Sequence, residues 1–393
     1  MEKGRRILSI DVMRGLTLFL MLFVNDLYVP GVPAWLAHRP ADFDGMGLAD
    51  WVFPGFLFMV GMAVPFAIQS RIKRGESQLH ILVHIVIRTI SLLIIGVIMV
   101  NLDRLNAELT GIPKNLWAIL AYIAVFLIWN NYPDSLGRIA SVLKIIGISG
   151  LVVLLALYRS GTAENPGWLI TSWWGILGLI GWGYLVTSLT YLWIKENILW
   201  TAAIWFMFIG LNIFGMLNLL DFLAPIKPVF GVIIDGNVPS IVMSGLFFSL
   251  ILRKYKTNQR AFVKISLVTG MSALGLGFVL RNWFIISKIL GTPSWAMICN
   301  GISILMFAAL FKLIDINGKT SWTALFRTAG QNSLTTYLAP DVIYYSIWMS
   351  GIPLLFYKNA ESVFIIIVGS LIWSFLMILF AKLLSDIGIR LKL

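Results

Sequence analysis

Residues 9–61 read SIDVMRGLTLFLMLFVNDLYVPGVPAWLAHRPADFDGMGLADWVFPGFLFMVG. Two apolar runs, 8–28 and 48–69, bracket a loop that holds three Pro, two Asp, Trp35 and His38. Each run is long enough to cross a bilayer, whose hydrocarbon core of ~30 Å takes about 20 helical residues. Yet the same runs carry Asp11, Arg14, Asn25, Asp26 and Asp50. An ionisable side chain at the bilayer centre costs about 2.5–3.5 kcal/mol on the insertion scale. The apolar runs therefore predict membrane helices, and the polar groups within them point to a function.

The pattern extends along the whole chain. Of 393 residues, 59% are hydrophobic and 12% charged, which excludes a soluble globular domain and predicts an all-α, polytopic integral membrane protein. About 12 transmembrane helices fit the template of about 20 residues: 8–28, 48–69, 82–101, 116–130, 139–157, 169–194, 199–219, 238–252, 262–281, 295–313, 325–349 and 363–384. The runs are continuously apolar instead of alternating, which predicts a helical bundle and not a barrel. MEKGRR is followed by a run carrying Asp11 and Arg14, so the first run is expected to be a mature helix and not a cleaved signal peptide. Residues 1–393 read as a single membrane domain without repeats or linkers.

The net charge of +12 lies mainly in short loops. Lys and Arg are denser in the segments that share a side with the amino terminus, which predicts both termini in the cytoplasm. The charge is read as orientation signal and lipid-headgroup contact, with no nucleic-acid partner. One Cys excludes an intrachain disulfide framework and a thiolate metal cluster.

Several polar groups stand out. Asp11 and Arg14, three residues apart, can pair on one face of the first helix, either as a packing ion pair or as part of a cytosolic ligand site. Asn25 and Asp26 follow roughly 16 Å further along the axis, toward the outer side, where they can also simply end the helix. In the outer loop His38 is flanked by Trp35, Asp42 and Asp44. An imidazole suits proton removal near neutral pH, and carboxylates can orient it or hold a cation. Asp50 opens the second helix, where capping is its ordinary role. His80 and His84 are four apart, but without a third ligand among Arg71, Lys73, Arg74 and Arg88 an anion site fits better than a metal. Late in the chain, GQNSLTTYLAPD places Gln331, Asn332, Ser333, Tyr337 and Asp341 in one span, which predicts a face toward a wet cavity.

SIDVMRGLTLFLMLFVN, AH followed by DFDGMGLADWVFPGFLFMVG, GTPSWAMICNG and GQNSLTTYL together resemble the heparan-α-glucosaminide N-acetyltransferase family, in its bacterial branch. The resemblance is strongest over residues 5–75, recognisable over 230–345, and suggests a two-helix insertion near 169–219. It implies acetyl transfer from cytoplasmic acetyl-CoA, a co-substrate, to an amino sugar or other glycan acceptor on the far side of a bacterial inner membrane. His38, on the periplasmic side, matches the catalytic histidine, Asn25 its polar partner, and Asp50 the acid opening the next helix. Asp44 stands where the animal member has Asn. Asp26, Asp44, Asp50 and Trp35 are expected around the acceptor, and Asp11, Arg14, Arg71, Arg74, Asn332 and Ser333 around coenzyme A. The animal relative also implies a homodimer, and no metal is expected. The rival reading is a sugar transporter or a permease-associated membrane protein, which the absence of an internal repeat disfavours.

Overall fold

The computed structural model describes residues 7–352, 358 and 362–393. Lys3, Arg5 and Arg6, which add to the positive charge of the amino-terminal side, lie outside the described residues. The helices are α1 (Leu8–Asp26), α2 (Leu48–Lys73), α3 (Gln78–Asn101), α4 (Ala107–Thr110), α5 (Lys114–Trp129), α6 (Gly137–Leu157), α7 (Gly175–Ile194) and α8 (Ile198–Met216). They continue with α9 (Lys227–Ile234), α10 (Asn237–Lys254), α11 (Gln259–Leu280), α12 (Pro293–Phe311), α13 (Ala324–Gln331), α14 (Ser333–Ser350) and α15 (Val363–Asp386). A two-residue antiparallel pair, Ser160–Gly161 with Pro166–Gly167, is a minor exception to an otherwise helical chain.

Ten helical segments among the described residues are long and apolar enough to span a bilayer, which makes this an integral membrane protein. The expected twelve differ at two places. The fourth span is α5, only 16 residues long, or about 24 Å at 1.5 Å per residue. The eleventh is broken at Asn332 (φ −115°, ψ 39°) into α13 and α14. Polar side chains and Pro340 also lower the apolar character of α14.

Burial separates a central group of helices from a peripheral one. In the most apolar window of each helix, 78% of α2 and 67% of both α1 and α12 are buried, against 17% of α6 and 22% of α11. The peripheral helices present Ile, Val and Leu outward, as a lipid-facing surface requires. Two interior carboxylates tie helices together. Asp315, beyond α12, accepts the backbone N–H groups of Leu8 and Ser9 at 2.9 and 3.0 Å, capping the first turn of α1. Asp341 of α14 accepts the Tyr122 hydroxyl of α5 at 2.6 Å.

The break at Asn332 is set against α1 by close backbone contact. A Cβ on Gly15 would lie 1.8 Å from the Phe326 carbonyl oxygen, and one on Gly330 would lie 2.0 Å from that of Asp11. Only glycine at both positions permits this crossing, the small-residue packing common between membrane helices.

Candidate functional site

The loop from α1 to α2 is pinned to the first turn of α2. Leu48 N–H donates to the Trp35 carbonyl at 2.7 Å and Ala49 N–H to that of Leu36 at 3.2 Å. Gly47, the residue before α2, makes room for this approach, since a Cβ there would lie 2.1 Å from the Ala37 oxygen. His38 is thereby delivered to Asp50. Its Nδ1 lies 2.7 Å from Asp50 Oδ1, while Oδ2 accepts the N–H groups of Arg39 at 3.1 Å and Gly47 at 2.9 Å. The Asp50 side chain is 1% exposed and that of His38 44%. A buried, triply bonded carboxylate thus holds an accessible imidazole. In the neutral ring, an Nδ1–H donated to the Asp50 carboxylate leaves the lone pair on Nε2.

A distant segment completes this site. Residues 281–292, between α11 and α12, clamp onto the His38 loop. Arg281 Nε donates to Asp44 Oδ2 at 2.8 Å, Ile286 N–H to Asp44 Oδ1 at 2.8 Å and Ser287 Oγ to the Ala41 carbonyl at 2.9 Å. The Ile286 N–H and the Arg281 guanidinium hold the Asp44 carboxyl below its ordinary range. The clamp brings Lys288 Nζ to 3.2 Å from His38 Nδ1 and 3.4 Å from Nε2. Burial lowers the Lys288 ammonium below the usual lysine value, while Asp50 pulls the other way. Beneath, Trp295 Nε1 donates to the Asp50 carbonyl at 3.1 Å.

A cavity of about 440 Å³ runs along the other end of α1 and α2. On α1 it is lined by Arg14, Leu18 and Met21, and on α2 by a stripe from Phe56 through Val60, Ala63 and Ala67 to Ser70, Arg71 and Arg74. His84 and Arg88 of α3, Tyr184 of α7, Gln331, Ser333 and Tyr337 of the broken pair, and Lys392 close it. The mouth is cationic and the floor apolar. Arg71 and Arg74 share Glu76 at 2.6 and 2.9 Å, and those two guanidinium groups hold the Glu76 carboxyl down. Arg88 lies 4.7 Å from the Tyr184 ring, with its Nε buried and without a hydrogen-bond partner. An anion with an apolar extension suits such a space.

Residues 6–219 match the family described as "Domain of unknown function (DUF5009)". The chain belongs to this family. The DUF5009 match takes in α1 to α8, and so the His38–Asp50 pair and most of the cavity, but not Lys288. There is also distant, partial similarity to the heparan-alpha-glucosaminide N-acetyltransferases of Mus musculus, 34% identical over 143 residues, and Homo sapiens, 38% identical over 96 residues. These stretches are 34% and 24% of this chain and 21% and 14% of the relatives. The chain thus matches about a fifth or less of their length.

Within this DUF5009 chain, the residues singled out in the sequence fall into distinct places. His38 and Asp50 meet. Arg14, Arg71, Arg74 and Ser333 line the cavity, whereas Asp11 and Asn332 do not. Asp11 is buried and accepts from Gln331 Nε2 at 3.5 Å, and Asn332 Nδ2 donates back to the Thr328 carbonyl at 3.3 Å. Asp44 is engaged in the clamp. Asp26, 1% exposed, binds Lys358 at 3.0 Å and the Tyr344 hydroxyl, so it ties α1 to α14. Trp35 is 65% exposed at the loop surface. Asn25 is exposed at the end of α1; it continues the stripe of Arg14, Leu18 and Met21 by one turn. Lys288 had no local signal, since its partner lies 250 residues away. Lys392 likewise joins the cavity only through the docking of the carboxyl-terminal segment.

Proposed function

We propose that this chain is a membrane acyltransferase that moves the acetyl group of acetyl-CoA to an amino sugar or related glycan amine on the opposite side of the membrane. The observation that carries the reading is the continuity of α1 and α2. The cationic cavity reaches Met21 and Phe56, about 6 Å along α1 from Asn25 and about 9 Å along α2 from Asp50. Asp50 and Arg71 are roughly 30 Å apart along α2, close to a hydrocarbon thickness. The partial similarity to two N-acetyltransferases supports the same chemistry.

In this reading the phosphates of coenzyme A rest among Arg14, Arg71, Arg74, Arg88 and Lys392 on the cytoplasmic side. The pantetheine arm follows the apolar stripe inward. The acceptor nitrogen attacks the thioester carbonyl carbon, forming the C–N bond. Nε2 of His38 takes the proton from nitrogen, and collapse of the tetrahedral intermediate breaks the C–S bond. The proton then passes to the leaving thiolate, so His38 returns to its neutral form. Asp50 holds the ring and stabilises the transient imidazolium. In the same reading Asn25, one turn beyond the stripe, donates to the developing oxyanion.

Reconstituted protein supplied with radiolabelled acetyl-CoA on one face and glucosamine or short amino-glycans on the other tests the proposal. Labelled N-acetyl product is the expected result. Movement of unmodified sugar without acetylation would instead establish a transporter. H38A is expected to abolish transfer while retaining acetyl-CoA binding, and full activity in that variant would sink the assignment of the base.

A further inference from the structure

We propose that Lys288 is a positioning residue for His38: its ammonium offsets the charge of Asp50 and so keeps the imidazole neutral, with Nε2 available as a base. The inference rests on the role proposed above for His38, but its physical core stands on geometry. A carboxylate 2.7 Å from Nδ1 favours the imidazolium, and a histidine already protonated cannot accept a proton. Asp50 alone would therefore work against the base it orients. Lys288 Nζ lies 3.2 Å from Nδ1 and 3.4 Å from Nε2, and a cation at that distance disfavours the imidazolium. With Nδ1–H donated to Asp50, the Lys288 N–H can be received by the Nε2 lone pair only, which an incoming acceptor amine would displace.

The other charged groups near the ring do not replace this effect. The Arg39 guanidinium is stacked 3.6 Å over Phe43. Asp44 and Arg281 neutralise each other in the clamp. The Cys299 thiol of α12 is buried. Asp42 is exposed on the loop surface. Asp50 and Lys288 thus place opposite charges on either side of the ring, and the clamp from 281–292 is what holds the cation there.

The test reads His38 directly. Histidine labelled at Cε1 is followed by carbon NMR across pH in detergent-solubilised or nanodisc-embedded full chain, with His80 and His84 replaced so that His38 gives the one histidine signal. K288M is expected to raise the titration midpoint of His38 by about one unit or more, a roughly tenfold larger protonated fraction at fixed pH above the midpoint. K288R, which keeps the charge, is expected to restore it. K288Q substitutes for the Met variant if that variant does not fold. An unchanged or lowered midpoint in the charge-removing variant overturns the proposal. In the transfer assay, with His80 and His84 intact, the acid limb of kcat/KM against pH should move upward in K288M and back in K288R, which a purely structural lysine would not produce. Absence of acetyl transfer by the unaltered protein would count against the acyltransferase reading alone, because the NMR titration is independent of it.

Discussion

At the residue scale, Asp50 carries two jobs that the sequence presents as one. Its position in the first turn of a helix is ordinary for a cap, and it does accept the Gly47 N–H. The same carboxylate reaches His38 through its other oxygen. D50N keeps the shape but can leave the imidazole in the wrong tautomer. It is expected to lower kcat by ~10²–10⁴-fold, by analogy with an orienting aspartate in a hydrolase triad. Acetyl-CoA binding, measured by titration calorimetry, should change little. A D50N enzyme with normal kcat would leave Asp50 as a cap alone. Asp26 illustrates the opposite outcome: it stands beside Asn25 in sequence, yet it is buried against Lys358 and Tyr344. Adjacent residues on a helix point about 100° apart, so neighbours in sequence divide between the interior and the surface.

At the element scale, two loops far apart in sequence make one unit. Gly47 is the tightest point, because a methyl group there meets the Ala37 oxygen at 2.1 Å. G47A is expected to push residues 35–38 off α2, with loss of transfer activity and a lower thermal midpoint in the same preparation. An unchanged midpoint and activity would show that the loop adjusts freely. The clamp also has a defined pH response. Backbone donation from Ile286, then Arg281, lowers the Asp44 carboxyl from its ordinary value in the folded protein. Its contribution is therefore present above the unfolded value near ~4 and is lost as pH falls through the lower folded value. Protection of the Ile286 amide, its exchange rate compared with the intrinsic rate at the same pH, should persist down to about pH 4 and fall below it; weak protection already at neutral pH would contradict this. D44N removes the ion pair and should flatten that dependence.

At the scale of the whole molecule, the cationic cavity predicts anion binding. R88Q removes a guanidinium whose Nε is buried without a hydrogen-bond partner, and should weaken coenzyme A binding by about tenfold, a charge-assisted contact of ~1.5 kcal/mol. Binding should also weaken with added salt. Equal affinity in R88Q, or no salt dependence, would argue against phosphates resting there. The sequence by itself determined the helical membrane fold, because runs of about 20 apolar residues have one low-energy arrangement in a bilayer. It also marked His38, through its carboxylate neighbours and the family resemblance, and the basic groups at 71–88, which cluster where an anion fits better than a metal. Only the tertiary structure decided that Asp50 holds His38, that Asp44 belongs to a clamp, and that Lys288 and Lys392 join sites begun at the other end of the chain. It also decided that α5 is short and the eleventh span broken. The physical reason is that apolar periodicity reports where a helix lies relative to lipid, whereas hydrogen bonds and charges act over a few ångströms between residues that only packing brings together.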